Sequence, residues 1–250
     1  PLQSSAEAHM PALLSVLDRL PVIGPAYRAN LQAPVLVLPR VFEPTLCQAL
    51  MDYYRRQGGE ASGFMQDING KTVMVLGRDH KVRRDCVLED EELRRACMRR
   101  IQQRVVPQLE RAFQFRATRM ERYLVGCYDA SEGGHFRAHR DNTTKGTAHR
   151  RFAISLFLNS GDYEGGFLRF PEFGPGLYTA PPGGAVVFSC GLLHEATAVT
   201  QGQRFMFLPF LYDEEARRIR QENLHFLDVD TAGTGTAEPE AQPRAESEAG

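Results

Sequence analysis

Two polar residues in the middle of the chain have the types and the spacing of metal ligands. His139 and Asp141 are two residues apart, and on a β-strand this spacing places both side chains on the same face. His194, further along the chain, is the best candidate for a third ligand. Two histidines and one carboxylate on one side of an ion leave the opposite positions open. This arrangement suits a non-haem Fe(II) that must bind a co-substrate and dioxygen.

Each of these residues also has a simpler interpretation. His139 and Asp141 alone could be a surface pair on a loop, and a lone histidine such as His194 is more often a satisfied core residue. Arg204 favours the metal site, because it opens an apolar run that ends at Phe210. A buried guanidinium is costly unless it is paired, and its planar fork suits a carboxylate. Since the sequence offers no obvious partner, an external dicarboxylate ligand is favoured over a salt bridge across the sheet.

The composition is that of a globular domain. The chain has 250 residues, of which 42% are hydrophobic, and this length is enough to bury one sizeable core. The formal net charge of -1 gives no global field that would favour nucleic acid or an anionic membrane as a partner. No apolar run approaches the roughly 20 residues of a membrane-spanning helix. The five cysteines are odd in number and form no CxxC pair, so we expect a reducing, cytoplasmic setting.

Changes in composition divide the chain into three parts. Residues 1–33 are polar and punctuated by proline, and we interpret them as a linker or the end of a preceding module with one short helix. Because the chain opens on Pro1, we expect it to come from a longer polypeptide. Residues 34–227 form the predicted domain. Residues 228–250 are predicted to be a disordered tail, since they contain too few apolar residues to bury.

The predicted domain begins with helices and continues with short strands. We expect one helix from Pro44 and a long amphipathic helix from Glu89 to Phe113 that is kinked at Pro107, and a closing helix over residues 213–223. Alternation and turn signals predict strands over residues 34–39, 72–76, 122–128, 152–158, 167–170, 185–190 and 205–212. This order predicts an α+β fold, in which a cupin-like jelly roll is braced by the N-terminal helices.

An ordered set of short motifs resembles one known family. The motifs are Cys127-Tyr128, Gly133-Gly134, His139-Arg140-Asp141, Leu156-Phe157-Leu158-Asn159, Gly165-Gly166-Phe167-Leu168-Arg169-Phe170, Gly183-Gly184-Ala185-Val186-Val187-Phe188, His194-Glu195 and Gly202-Gln203-Arg204. In this order they resemble the prolyl-4-hydroxylase-like branch of the 2-oxoglutarate and Fe(II)-dependent dioxygenases. The resemblance covers roughly residues 34 to 213, and the whole set is far more specific than any single motif.

The resemblance implies a fold, a reaction and a set of roles. It implies a double-stranded β-helix core in which His139, Asp141 and His194 are iron ligands and the catalytic centre. It further implies that Arg204 anchors the distal carboxylate of 2-oxoglutarate and that Tyr128 hydrogen-bonds this co-substrate. The implied reaction hydroxylates an unactivated C–H bond with dioxygen and releases succinate and CO2. The implied substrate is a protein side chain such as prolyl, or a small amino-acid-like molecule. Ascorbate binding and an upstream thioredoxin-like domain are further expectations from relatives.

Two departures from the family pattern concern the substrate. The family often has a tyrosine three residues before the first ligand histidine, where this chain has Phe136, which cannot donate a hydrogen bond. After the Gly165-Gly166 pair, where members commonly carry a polar residue, this chain has Phe167. Both changes leave the metal site intact but loosen any inference about the substrate, including peptidyl proline.

A basic loop directly after the ligand pair is the best candidate for substrate contacts. Lys145 to Arg151 contains several basic residues, of which Arg150 and Arg151 are predicted to bind substrate near the rim of the site. The alternative is a solvated loop of mixed charge.

Two other functions compete with the dioxygenase. A non-catalytic, cupin-like metal-binding module would need the fold but would have no use for Arg204 and Tyr128. A zinc hydrolase would need a general base near the metal-bound water. The nearby carboxylate for that role is Glu195, and strand alternation points it away from the side chain of its neighbour His194.

Overall fold

The computed structural model describes residues 6–20 and 32–228. The chain divides into two compact units, Pro1–Ala33 and Pro34–Gly250. The first unit contains helix α1, Ala6–Leu17. Apart from Asp228, the predicted disordered tail lies outside the described residues, as do residues 1–5 and 21–31 of the predicted linker. Within the described part of the chain, helices long and apolar enough to cross a membrane are absent.

Helices are concentrated before residue 114 of the second unit and at its end. They are α2 (Pro44–Gln57), α3 (Glu91–Arg104), α4 (Val106–Phe113) and α5 (Glu214–Asn223). Single-turn 3-10 helices cover Ala130–Glu132, Lys145–Thr147, Pro171–Phe173 and Leu224–Phe226. The single kinked helix predicted over residues 89–113 is two helices. Val105 separates them, and Pro107, which lacks an N–H, occupies the first turn of the second helix, where no intrahelical partner is lost.

The remaining elements of the second unit are short strands. In chain order they are β1 (Leu36–Leu38), β2 (Glu60–Ala61), β3 (Phe64–Ile68), β4 (Lys71–Val75), β5 (Lys81–Val82), β6 (Arg84–Val87), β7 (Arg119–Glu121), β8 (Leu124–Asp129), β9 (His135–His139), β10 (Phe152–Phe157), β11 (Glu164–Gly165), β12 (Leu168–Arg169), β13 (Leu177–Tyr178), β14 (Ala185–Ser189), β15 (His194–Ala196), β16 (Val199–Gln201), β17 (Gln203–Phe207) and β18 (Phe210–Tyr212). The strand predicted over residues 205–212 is interrupted at Leu208-Pro209, because proline cannot donate to a ladder.

Two antiparallel sheets form a jelly-roll β-sandwich. The larger sheet has the strand order β1-β14-β10-β17-β8-β6-β2, with β18 pairing with β10 and with β7. The smaller sheet has the order β13-β12-β15-β9-β5. Strands β5 and β6 are separated by a single residue, Arg83, so the chain crosses from the smaller to the larger sheet at that position. The jelly-roll expectation is therefore confirmed.

The main apolar core lies between the helices and the larger sheet. Leu50 of α2, Ile101 of α3 and Leu109 of α4 are buried in the same cluster as Val125 of β8 and Leu156 of β10. Alternation along β8 places Val125 and Cys127 in this core. The residue between two such positions faces the opposite side of the sheet, so the inner face is left for the side chains of the site.

Candidate metal and co-substrate site

Strand pairing in the smaller sheet brings the three predicted ligands together. His139 is the last residue of β9 and His194 is the first residue of β15, and the two are directly opposite each other in the antiparallel register. Asp141 follows two residues after His139, and its backbone N–H donates to the carbonyl of Cys190 at 3.0 Å. Both sequence segments are therefore held at one end of the same strand pair.

The donor atoms of this triad are close enough to share one ion. Nε2 of His139 lies 3.6 Å from one carboxylate oxygen of Asp141, and Nε2 of His194 lies 3.4 Å from the other. All three side chains offer a ligand atom within 4.8 Å of the others. Two imidazoles and one carboxylate on one face are the donor set of non-haem Fe(II) oxygenases.

Backbone carbonyls orient both imidazoles. Nδ1 of His139 lies 2.7 Å from the carbonyl oxygen of Arg137, and Nδ1 of His194 lies 3.0 Å from that of Leu192. A carbonyl oxygen accepts only, so each Nδ1 carries the hydrogen and donates it. The lone pair of each Nε2 is then free, as a metal ligand requires.

The surroundings of His194 and Asp141 also shift the pKa values of these two residues toward the forms that bind a metal ion. Burial lowers the pKa of His194 to about 4, so this imidazole is neutral near pH 7. Burial alone would raise the pKa of Asp141, but the neighbouring His194 and His139 imidazoles hold it below its usual range. The triad thus contains a neutral imidazole at His194 and a carboxylate anion at Asp141, which a divalent cation would complement.

Aromatic rings pack against the two imidazoles. The ring of Phe136 stacks on His139 with centroids 3.5 Å apart and an interplanar angle of 19°. The ring of Phe188 lies 4.5 Å from that of His194. Phe136, at the position where the family often has tyrosine, therefore supports a ligand by stacking and contributes an apolar wall to the cavity.

The larger sheet supplies the opposite wall of the same cavity. Arg204 of β17 lies directly opposite Tyr128 of β8, and both line the cavity that contains the triad. The Arg204 side chain is almost fully buried, at 1% exposure, and its Nε has no hydrogen-bond partner among the described residues. Its guanidinium lies over the rings of Tyr128 and Phe157, at 4.9 and 5.2 Å from their centroids.

This orphaned guanidinium fits the co-substrate that the sequence predicts. A buried cation without an anion is costly, whereas a bidentate carboxylate satisfies its fork. No carboxylate of the described residues fills this role. Glu195, the residue after His194, instead pairs with Arg169 at 2.7 Å, so it is occupied and is not placed to act as a general base for a metal-bound water.

The absence of a side chain at Gly166 leaves room for the side chain of Arg204. Its φ of +62° is left-handed, and a Cβ at this position would lie 2.6 Å from Cδ of Arg204. The second glycine of the Gly165-Gly166 pair therefore has a packing role as well as a conformational one.

Gly166→Ala is expected to lower stability and to weaken co-substrate binding together, because the methyl group displaces Arg204. Gly161→Ala is the matched control: Gly161 also has a positive φ, of +101°, but a Cβ there would contact nothing within 4 Å. Both variants should lose about 1–3 kcal/mol from backbone strain in a denaturant titration. Only Gly166→Ala should also raise the apparent Kd for 2-oxoglutarate. Equal co-substrate affinity in the two variants would contradict the contact with Arg204.

Two further arginines, Arg83 and Arg122, line the cavity. Arg83 belongs to the basic run over residues 81–85, a weaker candidate in the sequence for contact with an anionic substrate, whereas Arg122 is not among the predicted site residues. Arg83 donates to the Tyr128 hydroxyl from Nη1 at 3.2 Å and forms a two-point ion pair with Asp85 at 2.6 and 2.7 Å. Burial would lower the pKa of Arg83, but Asp85 raises it above the usual value, so the cation is permanent. Arg83 thereby fixes the hydroxyl of Tyr128 toward the cavity.

Neither of the two arginines predicted to bind substrate is among the residues that line the cavity, although Arg150 contacts one that is. Nε of Arg150 donates to Glu121 at 2.7 Å, and its guanidinium lies 4.2 Å from the ring centroid of Phe210, which lines the cavity. Nη1 of Arg151 donates to the carbonyl of Ala148 at 3.0 Å. Arg150 is thus largely neutralised by Glu121, and a role of either residue in substrate binding stays a prediction.

Glu121 connects this region to the closing helix. Besides Arg150, its carboxylate contacts Nε2 of His149 at 2.9 Å and Arg220 of α5 at 3.4 Å. Burial would raise the pKa of Glu121, but Arg150 and His149 lower it below the usual value. A carboxyl whose pKa is lowered by folding stabilises the fold above its unfolded pKa of about 4.3.

Glu121→Gln is expected to cost about 3 kcal/mol of unfolding free energy near pH 7, since it leaves buried cations without their anion. The difference from wild type should shrink as the pH falls below about 4, because the unfolded wild-type chain then takes up a proton at Glu121 that the folded protein still resists. Denaturant titrations over a pH series measure this. The exposed Glu222→Gln should change stability by no more than about 0.5 kcal/mol. A cost that does not vary with pH would contradict the ionic role.

Comparison with known proteins finds one matching family model and several solved structures of similar fold. Residues 123–212 match the model of the 2OG-Fe(II) oxygenase superfamily. A prolyl hydroxylase from Trichoplax adhaerens, in complex with a hypoxia inducible factor oxygen degradation domain peptide fragment, is similar in structure with a TM-score of 0.57 and 14% identity. The similarity covers 87% of this chain and 97% of that one.

Two further solved structures have the same fold. A prolyl-4-hydroxylase from Pseudomonas putida has a TM-score of 0.55 and 17% identity, over 76% of this chain and 98% of that one. A viral collagen prolyl hydroxylase from Paramecium Bursaria Chlorella virus-1, in a 2OG complex, has a TM-score of 0.50 and 14% identity, over 71% of this chain and 94% of that one. The predicted resemblance is confirmed. Residues 123–212 therefore carry the pattern of the 2OG-Fe(II) oxygenase superfamily, and the cluster of His139, Asp141 and His194 lies within that match.

Proposed function

We propose that this chain hydroxylates an unactivated C–H bond of a protein side chain, such as prolyl, or of a small amino-acid-like molecule. 2-Oxoglutarate and dioxygen are co-substrates, and succinate and CO2 are released. The observation that supports this proposal best is one cavity with the triad on one wall and the buried, unpartnered Nε of Arg204 on the other. A site that only bound a metal ion would need the triad but would have no use for the buried Arg204.

The residues have distinct roles in this proposal. His139, Asp141 and His194 hold Fe(II), and the carboxylate of Asp141 offsets part of its charge. Arg204 binds the distal carboxylate of 2-oxoglutarate, and the Tyr128 hydroxyl, held by Arg83, donates a hydrogen bond to the same co-substrate. The bound iron supplies the activation of dioxygen; the protein orients the reactants and keeps water out. Phe136 and Phe188 contribute to this exclusion through their packing on the two imidazoles.

The same proposal covers the rest of the domain. Residues 34–227 act as one dioxygenase domain, and α2, α3 and α4 brace the outer face of its larger sheet through the core that they share with it. Ascorbate is included as an auxiliary reductant. The upstream thioredoxin-like domain and the cytoplasmic setting stay predictions from the sequence.

A protein or peptide substrate has support from the solved structures of similar fold. Those proteins are prolyl hydroxylases, and one of them is in complex with a peptide fragment. Peptidyl proline is therefore one substrate to test, alongside small acids of similar size. The alternative, a non-catalytic metal-binding module, leaves the burial of Arg204 without a physical reason.

An anaerobic titration tests the function directly. Apo-protein loaded with Fe(II) and then with 2-oxoglutarate should develop a weak visible charge-transfer band, which arises when the 2-oxo acid chelates the metal. Glutarate is the matched control, because it keeps both carboxylates but lacks the 2-oxo group, and it should produce no band. Bound Fe(II) without a band on addition of 2-oxoglutarate would favour the non-catalytic module.

A further inference from the structure

Arg122 is a second cation on the wall of the cavity that contains the triad. It lies just before β8, and its side chain is 29% exposed. Its backbone φ is +63°, in the left-handed region that residues with a side chain rarely adopt. Such a conformation costs about 1–3 kcal/mol and persists where the surroundings impose it, often at functional sites.

The anion nearest to Arg122 is already occupied. Asp85 accepts from Arg83 at 2.6 and 2.7 Å and from the Ser62 hydroxyl at 2.5 Å. The contact from Nη2 of Arg122 to the same carboxylate is the longest of these, at 3.3 Å. Arg83 therefore takes most of the charge of Asp85, and Arg122 is only partly neutralised. Burial lowers the pKa of Arg122 to about 10, against the attraction of Asp85, so the group remains a cation at neutral pH.

With the co-substrates of the proposed function in place, each arginine that lines the cavity has its own anion except Arg122. Fe(II) is offset by Asp141 and by the chelating carboxylate of 2-oxoglutarate, and Arg204 is offset by the distal carboxylate. Arg83 is offset by Asp85. Nearby, Arg150 is offset by Glu121 at 2.7 Å. The positive charge of Arg122 therefore remains only partly neutralised when the primary substrate enters the cavity.

Apolar groups surround this charge. The guanidinium carbon of Arg122 lies 5.5 Å from the ring centroid of Phe210, and Leu208 and Pro209 line the same cavity. A ligand that fits both groups has a planar anion to pair with the guanidinium of Arg122 and a short apolar part to contact the ring of Phe210. A carboxylate attached to a small aliphatic or cyclic group has this chemistry, whereas an internal residue of a polypeptide carries no charge on its backbone.

We propose that Arg122 binds a carboxylate of the primary substrate, and that this substrate is a small carboxylic acid of the amino-acid type. The inference rests on the proposed function, because it places the substrate in the cavity next to the metal and the 2-oxoglutarate. It differs from a co-substrate role, since Arg204 already has the buried position for the distal carboxylate.

The test uses the full chain with Fe(II) and 2-oxoglutarate under anaerobic conditions. Free L-proline and other free L-amino acids are titrated against their primary amides, and against a short peptide with proline at its free C-terminus, while the charge-transfer band is followed. At least one acid is expected to shift the band, and its amide should do so only at a concentration about 10- to 100-fold higher. A peptide that acts as well as the free acid identifies the carboxylate source as a chain end.

Three variants complete the test. Arg122→Gln should lose the response to the acid by about 10- to 100-fold, and Arg122→Lys should lose less. Arg122→Gly removes the charge but accepts the left-handed backbone, so it distinguishes loss of binding from loss of fold. The exposed Arg56 on α2 provides the control Arg56→Gln, which should respond as wild type does.

Several results would overturn the inference. They are an equal response to acids and amides, no response to any acid, or an Arg122→Gln variant that binds the acid as wild type does. A higher apparent Kd for 2-oxoglutarate in the Arg122 variants, with the acid response retained, would assign Arg122 to the co-substrate instead. Absence of the band in wild type would be a different result: it would overturn the proposed function, and this inference with it.

Discussion

Replacing Arg204 with methionine is expected to weaken 2-oxoglutarate binding by about 30- to 4,000-fold. The range follows from the loss of about 2–5 kcal/mol when one partner of a buried, hydrogen-bonded charge pair is truncated. Methionine is chosen because it fills much of the same volume between Tyr128 and Phe157 and adds no cavity large enough to unfold the sheet. The apparent Kd is read from the anaerobic charge-transfer titration at saturating Fe(II).

The stability of the protein without 2-oxoglutarate should not be lowered by this variant, although its affinity for 2-oxoglutarate is. Without co-substrate, Arg204 is a buried cation whose Nε has no partner among the described residues, and its removal relieves a cost. Arg204→Met is therefore expected to be at least as stable as wild type in denaturant, while its stabilisation by 2-oxoglutarate is lost. Arg204→Lys keeps a point charge but not the fork, and should fall between the two in affinity. An Arg204→Met variant that binds 2-oxoglutarate normally would remove the basis for the co-substrate site.

The sequence predicted which residues cluster in the triad better than it predicted the elements that carry them. His139 and Asp141 were predictable because a strand has a period of two, and Arg204 because an arginine in an apolar run needs an anion. These arguments need only local information. The register that places His139 opposite His194 is a long-range property, and no local pattern specifies it.

The sequence does not assign Arg83 or Arg122 a definite role in the site, for a physical reason. Arg83 and Arg122 lie in short, charged segments that resemble solvated loops in the sequence. Asp85 lies on β6, two residues after Arg83, and it reaches Arg122 only because β6 pairs with β8. A buried ion pair between neighbouring strands leaves no periodic signal, so its members become recognisable only in three dimensions.

The same reasoning explains the strand and helix boundaries. The apolar run over residues 205–212 looks continuous, but Leu208 and Pro209 interrupt it and let the chain enter a second pairing with β7. The apolar stripe of residues 89–113 continues through Val105, although the helix does not. The hydrophobic pattern indicates which face of an element is buried. It does not indicate where the backbone hydrogen bonds stop, and these determine where the element ends.

Removing the carboxylate of the triad is expected to have the second large effect. Asp141→Ala should weaken Fe(II) binding by more than about 100-fold, since loss of an outer-shell partner alone typically costs about 10- to 100-fold. His139 and His194 remain oriented by the carbonyls of Arg137 and Leu192, so the variant isolates the contribution of the anion. Competition with a metal chelator under anaerobic conditions gives the apparent Kd without any need for a known substrate.

A matched carboxylate variant makes this prediction specific. Glu195→Gln removes the same charge from the residue next to His194, but Glu195 pairs with Arg169, which is 43% exposed, and not with the triad. It should cost about 1 kcal/mol or less in stability and leave the apparent Kd for Fe(II) close to wild type. Fe(II) binds the folded state, so it should raise the Tm of wild type and of Glu195→Gln but not that of Asp141→Ala. If both carboxylate variants lost Fe(II) equally, general charge around the cavity would explain binding better than coordination by Asp141. If neither did, the two imidazoles alone would hold the metal, and the site would lack the anion that balances Fe(II) in the proposed reaction.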